Sequence, residues 1–244
     1  GLGNIAPSQG DYYQATRGGG HGDYRMPVYA PASVQELYDI TMRAFDVADL
    51  YRTPVLLLGD GMMGQIMEPI YVRERPDVEI PPKDYILDGA EGRPSRIVKS
   101  LILDPSEMEE HNWKLKRKYD LMAHDLPQWE EFMTDDAKLT IIAYGTAARI
   151  AKGAVKRARS DGLKVGLLRP ITLWPFPDEA IRSVAKKTKL FLVFEMSTGQ
   201  MVDDVRLAVE GKVPCEFYGR PGGVVPIPQE IARIIERYWL QKEL

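Results

Sequence analysis

The sequence predicts an α/β protein built on open, mostly parallel sheets, and three patterns carry that prediction. A strand–helix–strand unit occupies residues 28–58. Short apolar runs alternate with helical patterns from Leu139 to the C-terminal residues. The run Val55-Leu56-Leu57-Leu58 is continuous rather than alternating, as in a strand covered on both faces.

Residues 1–27 read as loop, with GLGN, SQGD and RGGGHGD clustered where backbone freedom is high. A short strand at Val28–Ala30 follows. Ser33-Val34-Gln35-Glu36 is a capping box that opens a helix, because each end residue can satisfy an orphan backbone donor. Val34, Leu37, Ile40, Ala44, Phe45, Val47, Ala48 and Tyr51 recur at steps of three and four and predict one buried face. Arg52-Thr53-Pro54 ends that helix. Strand, helix and strand then form a parallel crossover.

From Tyr71 to about residue 135 periodicity disappears. ERPDVEIPPKDY and GAEGRPSR carry prolines, glycines and charges, so residues 71–135 are expected to be a linker. Within it, Ser106 to about Met122 reads as a charged helix. Lys114, Lys116, Arg117 and Lys118 follow Glu107, Glu109 and Glu110, which makes this a solvated face rather than a phosphate patch. The last third holds strands at Leu139–Tyr144, Val165–Arg169, Leu190–Glu195 and Pro214–Tyr218. Helices are expected at 146–160, 178–187, 201–209 and 228–241. The expected division is 1–70, 71–135 and 136–244, and the last unit reads as able to fold independently.

Composition narrows the function. The chain has 244 residues, 44% hydrophobic and 27% charged, enough to build a core without disulfides. Its one cysteine, Cys215, excludes an iron–sulfur cluster held by this stretch alone, since such a cluster takes about four thiolates. A net charge of -3 argues against nucleic-acid binding. No apolar run reaches the roughly 18 residues of a membrane span and no signal peptide opens the chain, so a cytoplasmic protein without membrane contact is expected. The opening GLGNIAPSQGD has the character of an interior loop, and the sequence is expected to be a fragment of a longer subunit.

In open α/β sheets, ligands meet the loops beyond the carboxyl ends of strands. Four segments qualify: Gly59-Asp60-Gly61, Tyr144-Gly145-Thr146, Arg169-Pro170-Ile171-Thr172 and Glu195-Met196-Ser197-Thr198-Gly199-Gln200. Gly145-Thr146 opens a helix whose amides could take an anion. The simpler reading is a tight turn with Thr146 as N-cap. His111 and His124 fall in the charged helix and are expected to be exposed. His21 stands among Gly18, Gly19, Gly20 and Gly22, where a ligand can approach, although a structural role is equally consistent. There is no zinc helix, nucleophile elbow or phosphate loop, and no metal-ligand spacing.

The succession SQGD, GGGHGD, a helix and TPVLLLGDGMMGQIMEP resembles the second half of the pyrimidine-binding domain of 2-oxoacid:ferredoxin oxidoreductases. It is most similar to the branched-chain (2-oxoisovalerate) type. AYGTAARIAKGAV, GLKVGLLRPITLWPFP, FLVFEMSTGQM and YGRPGGVVP resemble, in order, the transketolase C-terminal-like domain of the same subunit.

The resemblance implies thiamine diphosphate as cofactor, shared with a beta-type subunit that binds its diphosphate. Magnesium and iron–sulfur clusters would be on partner chains, with a gamma-type subunit and ferredoxin as further partners. Its implied activity is oxidative decarboxylation of a branched-chain 2-oxoacid with coenzyme A, not performed by this chain alone. Gly3, Asn4, Ser8, Gln9 and His21 match the substrate-side loop and are expected to line the mouth over the cofactor. Leu2 and Ile5 suit an apolar substrate side chain. The family's catalytic groups lie upstream of this segment, so no catalytic residue is assigned. Two other readings stay open: another thiamine enzyme, such as a transketolase or a 2-oxoacid dehydrogenase decarboxylase component, and a non-catalytic scaffold subunit.

Overall fold

The computed structural model describes residues 4–74 and 78–244. Among these residues the chain forms two sheets. The first has three strands in the order β2-β1-β6, where β1 is Val28–Tyr29, β2 is Leu56–Leu57 and β6 is Thr172–Trp174. The second has five, ordered β3-β5-β4-β7-β8: β3 (Trp129–Phe132), β5 (Val165–Pro170), β4 (Leu139–Ile142), β7 (Leu190–Glu195) and β8 (Cys215–Gly219). All its pairings are parallel except that of the edge strand β3 with β5.

The crossover predicted at residues 28–58 is present. β1 and β2 pair in parallel, with Val28 opposite Leu56, and helix α2 (Val34–Tyr51) connects them. Ser33 caps α2 by accepting from the Glu36 amide at 3.1 Å. The reciprocal bond slips one residue, because Glu36 Oε2 accepts from the Ala32 amide at 2.8 Å rather than from Ser33. Ile40, Ala44, Val47 and Tyr51 are buried as expected, whereas Phe45 is 66% exposed. Val55–Leu58 is only half-buried and its ladder is two residues long, so this strand is not covered on both faces here.

In the second sheet the period-2 geometry of strands divides the side chains cleanly. Ile142, Phe191 and Val193 face one side and pack with α5 (Asp178–Ala185), α6 (Met201–Val209) and the first sheet's Val28 and Ala30. Leu139, Ile141, Leu190, Leu192 and Phe194 face the other, under α4 (Gly145–Ser160) and α7 (Pro228–Gln241).

Residues 66–104 contain no helix or strand among those described. The charged helix is longer than its periodicity suggested. α3 spans Pro105–Asp125, begins at an Asp104 cap and presses Tyr119 and Met122 onto Val47 and Tyr51 of α2. His111 and His124 are exposed. No helix of the described residues is long and apolar enough to cross a membrane.

Two strands were missed in the sequence. β3 is a polar edge strand, Trp-Glu-Glu-Phe, without an apolar run. β6 lies immediately after β5 and leaves the five-stranded sheet to pair antiparallel with β1. The turn between them is held by Ala30, whose amide donates to Ile171 O at 2.8 Å.

Candidate functional site

The carboxyl ends of β2, β4 and β7 point to a common region, and the opening segment of the chain lies across it. Gln9 anchors that segment. Its amide donates to Met196 O (2.9 Å), its side-chain Nε2 donates to Tyr144 O (2.9 Å), and its Oε1 accepts from the Met196 amide (2.9 Å). The Tyr144 hydroxyl donates back to Gln9 O at 3.3 Å. Gln9 is 5% exposed, so its polar atoms join the ends of β4 and β7 to the loop.

Ser8 leans on the same place, donating to Met196 O at 3.4 Å while remaining exposed. Asn4 is exposed and reaches the far turn: Nδ2 donates to Gly222 O (3.1 Å) and Oδ1 accepts from the Ala6 amide (3.0 Å).

Two glycines permit this approach. A Cβ on Gly145 would stand 3.3 Å from Gln9 Nε2, and Gly145 has φ +52°. A Cβ on Gly223, at φ +89°, would fall 2.3 Å from Ala6 Cβ. Side chains at either position would displace the segment or strain the backbone.

Ser8, Gln9 and Asp11 form one wall of a narrow crevice. Pro31, Leu58, Gly59, Asp60, Tyr144 and Gly145 complete its lining. Asp60 holds its own turn in shape, its Oδ1 accepting from the Met62 and Met63 amides at 3.0 Å each. The Tyr144 phenol is pushed well above its ordinary range, first by burial and then by the carboxylates of Glu195, Asp60 and Asp11.

Behind the wall, α1 (Tyr12–Thr16) is bound to α6. Tyr12 donates to Asp204, Tyr13 donates to Asp203, and Arg17 Nη2 pairs with Asp204 at 2.7 Å. The hydrogen bond to Asp203, aided by partial burial, pushes the Tyr13 phenol up to about 12.

The structure therefore brings three of the four expected strand-end segments to the crevice: Gly59-Asp60 and Tyr144-Gly145 line it, and Met196 holds its wall. Arg169–Thr172 goes elsewhere. Arg169 is buried and pairs with Glu36 (2.6 and 2.9 Å) and Glu130 (2.9 Å), tying α2 to the second sheet.

Thr146 is not the cap of α4. Tyr144 occupies that position, and the buried Thr146 hydroxyl has no partner among the described residues. Gly3 and Leu2 lie outside the described residues. His21 is exposed and does not line the crevice. The residues just after it, Asp23, Tyr24 and Arg25, line a separate cleft of about 680 Å³ against Trp113, Tyr119 and Trp174.

Sequence reasoning did not single out Asp11, Tyr144 as a side chain, or Gly223. A buried-tyrosine signal was present only as the last residue of an apolar run.

Comparison with known proteins assigns the chain. Residues 2–126 match the family described as "Pyruvate flavodoxin/ferredoxin oxidoreductase, thiamine diP-bdg", and residues 137–231 match "Pyruvate:ferredoxin oxidoreductase core domain II". The chain is 46% identical over 235 residues to ketoisovalerate oxidoreductase subunit VorB of Methanothermobacter marburgensis, covering 96% of this chain and 66% of that one. It is 35% identical to 2-oxoglutarate synthase subunit KorA of Methanothermobacter thermautotrophicus, covering 93% and 67%. The chain thus spans just under two thirds of the length of the ketoisovalerate oxidoreductase subunits it matches, 66% and 63%.

Among solved structures, the fold is similar to that of 2-oxoglutarate:ferredoxin oxidoreductase from Magnetococcus marinus with 2-oxoglutarate, coenzyme A and succinyl-CoA bound. The TM-score is 0.73 at 20% identity, over 96% of this chain and 45% of that one. A split gene transketolase, described as an inactive beta4 tetramer, gives a TM-score of 0.50 at 14% identity, over 87% and 56%. With a single family description matching more than half of its residues, and a second matching most of the rest, this chain belongs to the pyruvate flavodoxin/ferredoxin oxidoreductase family.

Proposed function

We propose that this chain is the pyrimidine-side portion of a branched-chain 2-oxoacid:ferredoxin oxidoreductase. The reaction converts a 2-oxoacid, coenzyme A and two oxidised ferredoxins to acyl-CoA, carbon dioxide, two reduced ferredoxins and a proton. The observation that carries the substrate class is the 46% identity to a ketoisovalerate oxidoreductase subunit along almost the whole chain. In this reading residues 1–70 and 136–244 are the pyrimidine-side and transketolase C-terminal-like units, with 71–135 between them.

A shared cofactor would lie across the mouth of the crevice, since the crevice itself, at about 20 Å³, admits little more than a water molecule. The crevice lining offers the hydroxyls of Ser8 and Tyr144, the Gln9 amide and two carboxylates, with no lysine or arginine among the described residues. Such a surface suits the aminopyrimidine end of thiamine diphosphate better than its diphosphate: Gly145 does open α4 here, but Asp11 and Asp60 would repel a phosphate and no cation offsets them. Ser8, Asp11 and Asp60 are the groups on this chain that would meet the ring. The diphosphate, magnesium and iron–sulfur clusters would then be held by cysteine-bearing and beta-type partners. Cys215 is the only thiol in this sequence, and burial pushes it up, away from thiolate.

When bound, thiamine diphosphate supplies the carbon nucleophile and electron sink that decarboxylation requires. This chain's contribution is a preformed wall. Asn4 and Ser8 are exposed polar groups of the opening segment and would meet the substrate, and Ile5, 94% exposed, would face a branched side chain. Gln9 fixes the wall from behind, since its amide is spent on Tyr144 and Met196. His21 is assigned to the rim of the assembled site.

The test is to co-express the full-length subunit with its partner subunits and to follow coenzyme A-dependent viologen reduction. 3-Methyl-2-oxobutanoate is expected to exceed 2-oxoglutarate in kcat/KM by at least tenfold. An apolar pocket discriminates by about 1–3 kcal/mol per methylene, but it rejects a second carboxylate more strongly. Turnover with a lipoyl acceptor and none with viologen would overturn the reading.

A further inference from the structure

Glu195 is the last residue of β7 and is completely buried. Among the described residues no cation pairs with it. Its carboxylate accepts instead from the amides of Gln200 (3.1 and 3.2 Å), Met201 (3.0 Å) and Val202 (3.0 Å), and from the Ser197 hydroxyl (3.1 Å). Ser197 in turn accepts from the Gly199 amide at 3.0 Å. The carboxylate therefore does two things at once. It caps α6, and it closes residues 196–200 into a ring around its own oxygens.

That ring carries the wall of the crevice. Met196 holds Gln9 and Ser8 as described above. Gln200 Oε1 accepts from the Tyr13 amide at 2.8 Å, and its Nε2 donates to Gly10 O at 2.7 Å. Every one of these bonds crosses from the ring to residues 8–13.

We propose that Glu195 is a positioning residue for the crevice wall, acting on Ser8, Gln9 and Asp11 through the ring that its carboxylate closes. The inference rests on reading the crevice as the catalytic site. It adds a group outside the crevice that sets the wall's position. The carboxylate cannot be replaced by its amide without loss. A glutamine at this site has one acceptor oxygen, and its NH2 would face amide donors at the head of α6.

The test compares Glu195→Gln, Glu195→Asp and Thr188→Val in the assembled complex. Thr188 bonds Thr140 at the far end of the sheet and touches none of residues 8–13, so its variant reports stability loss alone. Hydrogen exchange of the Gln9 and Tyr13 amides is the direct readout.

Glu195→Gln should raise exchange at both amides at least tenfold and lower kcat/KM about tenfold. Glu195→Asp should restore part of both, and Thr188→Val should lower Tm while leaving both unchanged. Should Glu195→Gln fail to assemble, Gln200→Ala removes two of the wall contacts and keeps the cap. It should loosen Tyr13 more than Gln9.

Unchanged exchange in Glu195→Gln, or raised exchange with unaltered kcat/KM, overturns the proposal. An inactive wild-type complex would overturn the functional reading instead, while the exchange data would still decide whether Glu195 holds the wall.

Discussion

At Gln9 a single side chain satisfies a carbonyl from β4's end and an amide from β7's end, and its own backbone amide is taken by Met196. Replacing it by leucine keeps the volume but leaves the buried Met196 amide without its acceptor. The Tyr144 carbonyl keeps its helical partner, Ala148. Leaving one buried donor unpaired costs roughly 1–3 kcal/mol, so Gln9→Leu should lower stability by about that much, measured by denaturant unfolding. Catalysis should fall further than stability, because the wall loses its register.

A sharper separation comes from two neighbouring glycines. Gly222 and Gly223 both have positive φ, so alanine at either should cost on the order of 1–2 kcal/mol in backbone strain. A Cβ at Gly222 meets nothing within 4 Å, whereas one at Gly223 collides with Ala6. The expected outcome is similar Tm for the two alanine variants, with kcat/KM reduced only in Gly223→Ala. Equal kinetics would show that this turn does not shape the crevice.

At the scale of elements, Arg169 joins three of them. It is almost fully buried, yet both its carboxylate partners remain about one-third exposed, with side-chain exposures of 32% for Glu36 and 33% for Glu130. Arg169→Met should therefore cost less than the roughly 3–5 kcal/mol of a wholly buried pair, since the carboxylates can rehydrate. Arg169→Lys should recover only part of the loss, because an ammonium cannot fork between Glu36's two oxygens.

The pairing also sets a pH dependence. Burial raises the Glu130 carboxyl, but Lys152 and Arg169 outweigh it and hold the group below the ordinary glutamate range. A carboxyl whose folded pKa is depressed stabilises the fold above its unfolded value, near about 4.3, and that contribution disappears as pH falls through the folded value. The Tm difference between the wild type and Glu130→Gln should accordingly be larger at pH 7 than at pH 3.

Elements with strong patterning were legible in the sequence: α2 from its capping box and apolar face, β4, β5 and β7 from continuous apolar runs, and α4 and α7 from their alternation with those runs. β3 was not, because an edge strand needs only one covered face and its Glu130 and Glu131 are used in pairing. The same limit applies at the site. SQGD marked where Ser8 and Gln9 lie, but that Gln9 is consumed by Met196, 187 residues away, is a fact of tertiary contact that no local spacing encodes.

For the whole molecule, the consequence is that the units seen in the sequence share a sheet and a core. The C-terminal unit's β6 leaves its own sheet and completes the first one, with Val28 opposite Trp174 and Tyr29 opposite Thr172. One continuous core includes Val28 and Ala30 together with Ile142, Phe191 and Val205. Arg169 and Gln9 add polar bonds across the same boundary. Excising 136–244 would uncover the apolar face that receives Val28, Ala30 and Tyr12. It would also strand the Tyr144 and Met196 groups that Gln9 satisfies. The independent folding suggested by the regular strand–helix alternation is therefore replaced by a different expectation. Calorimetry of the chain should give one transition, with calorimetric and van't Hoff enthalpies equal. Gln9→Leu and Arg169→Met, on opposite sides of the boundary, should shift that single transition as a whole. Two resolved transitions, with Gln9→Leu moving only the lower, would show that β6 and the shared core do not couple the units.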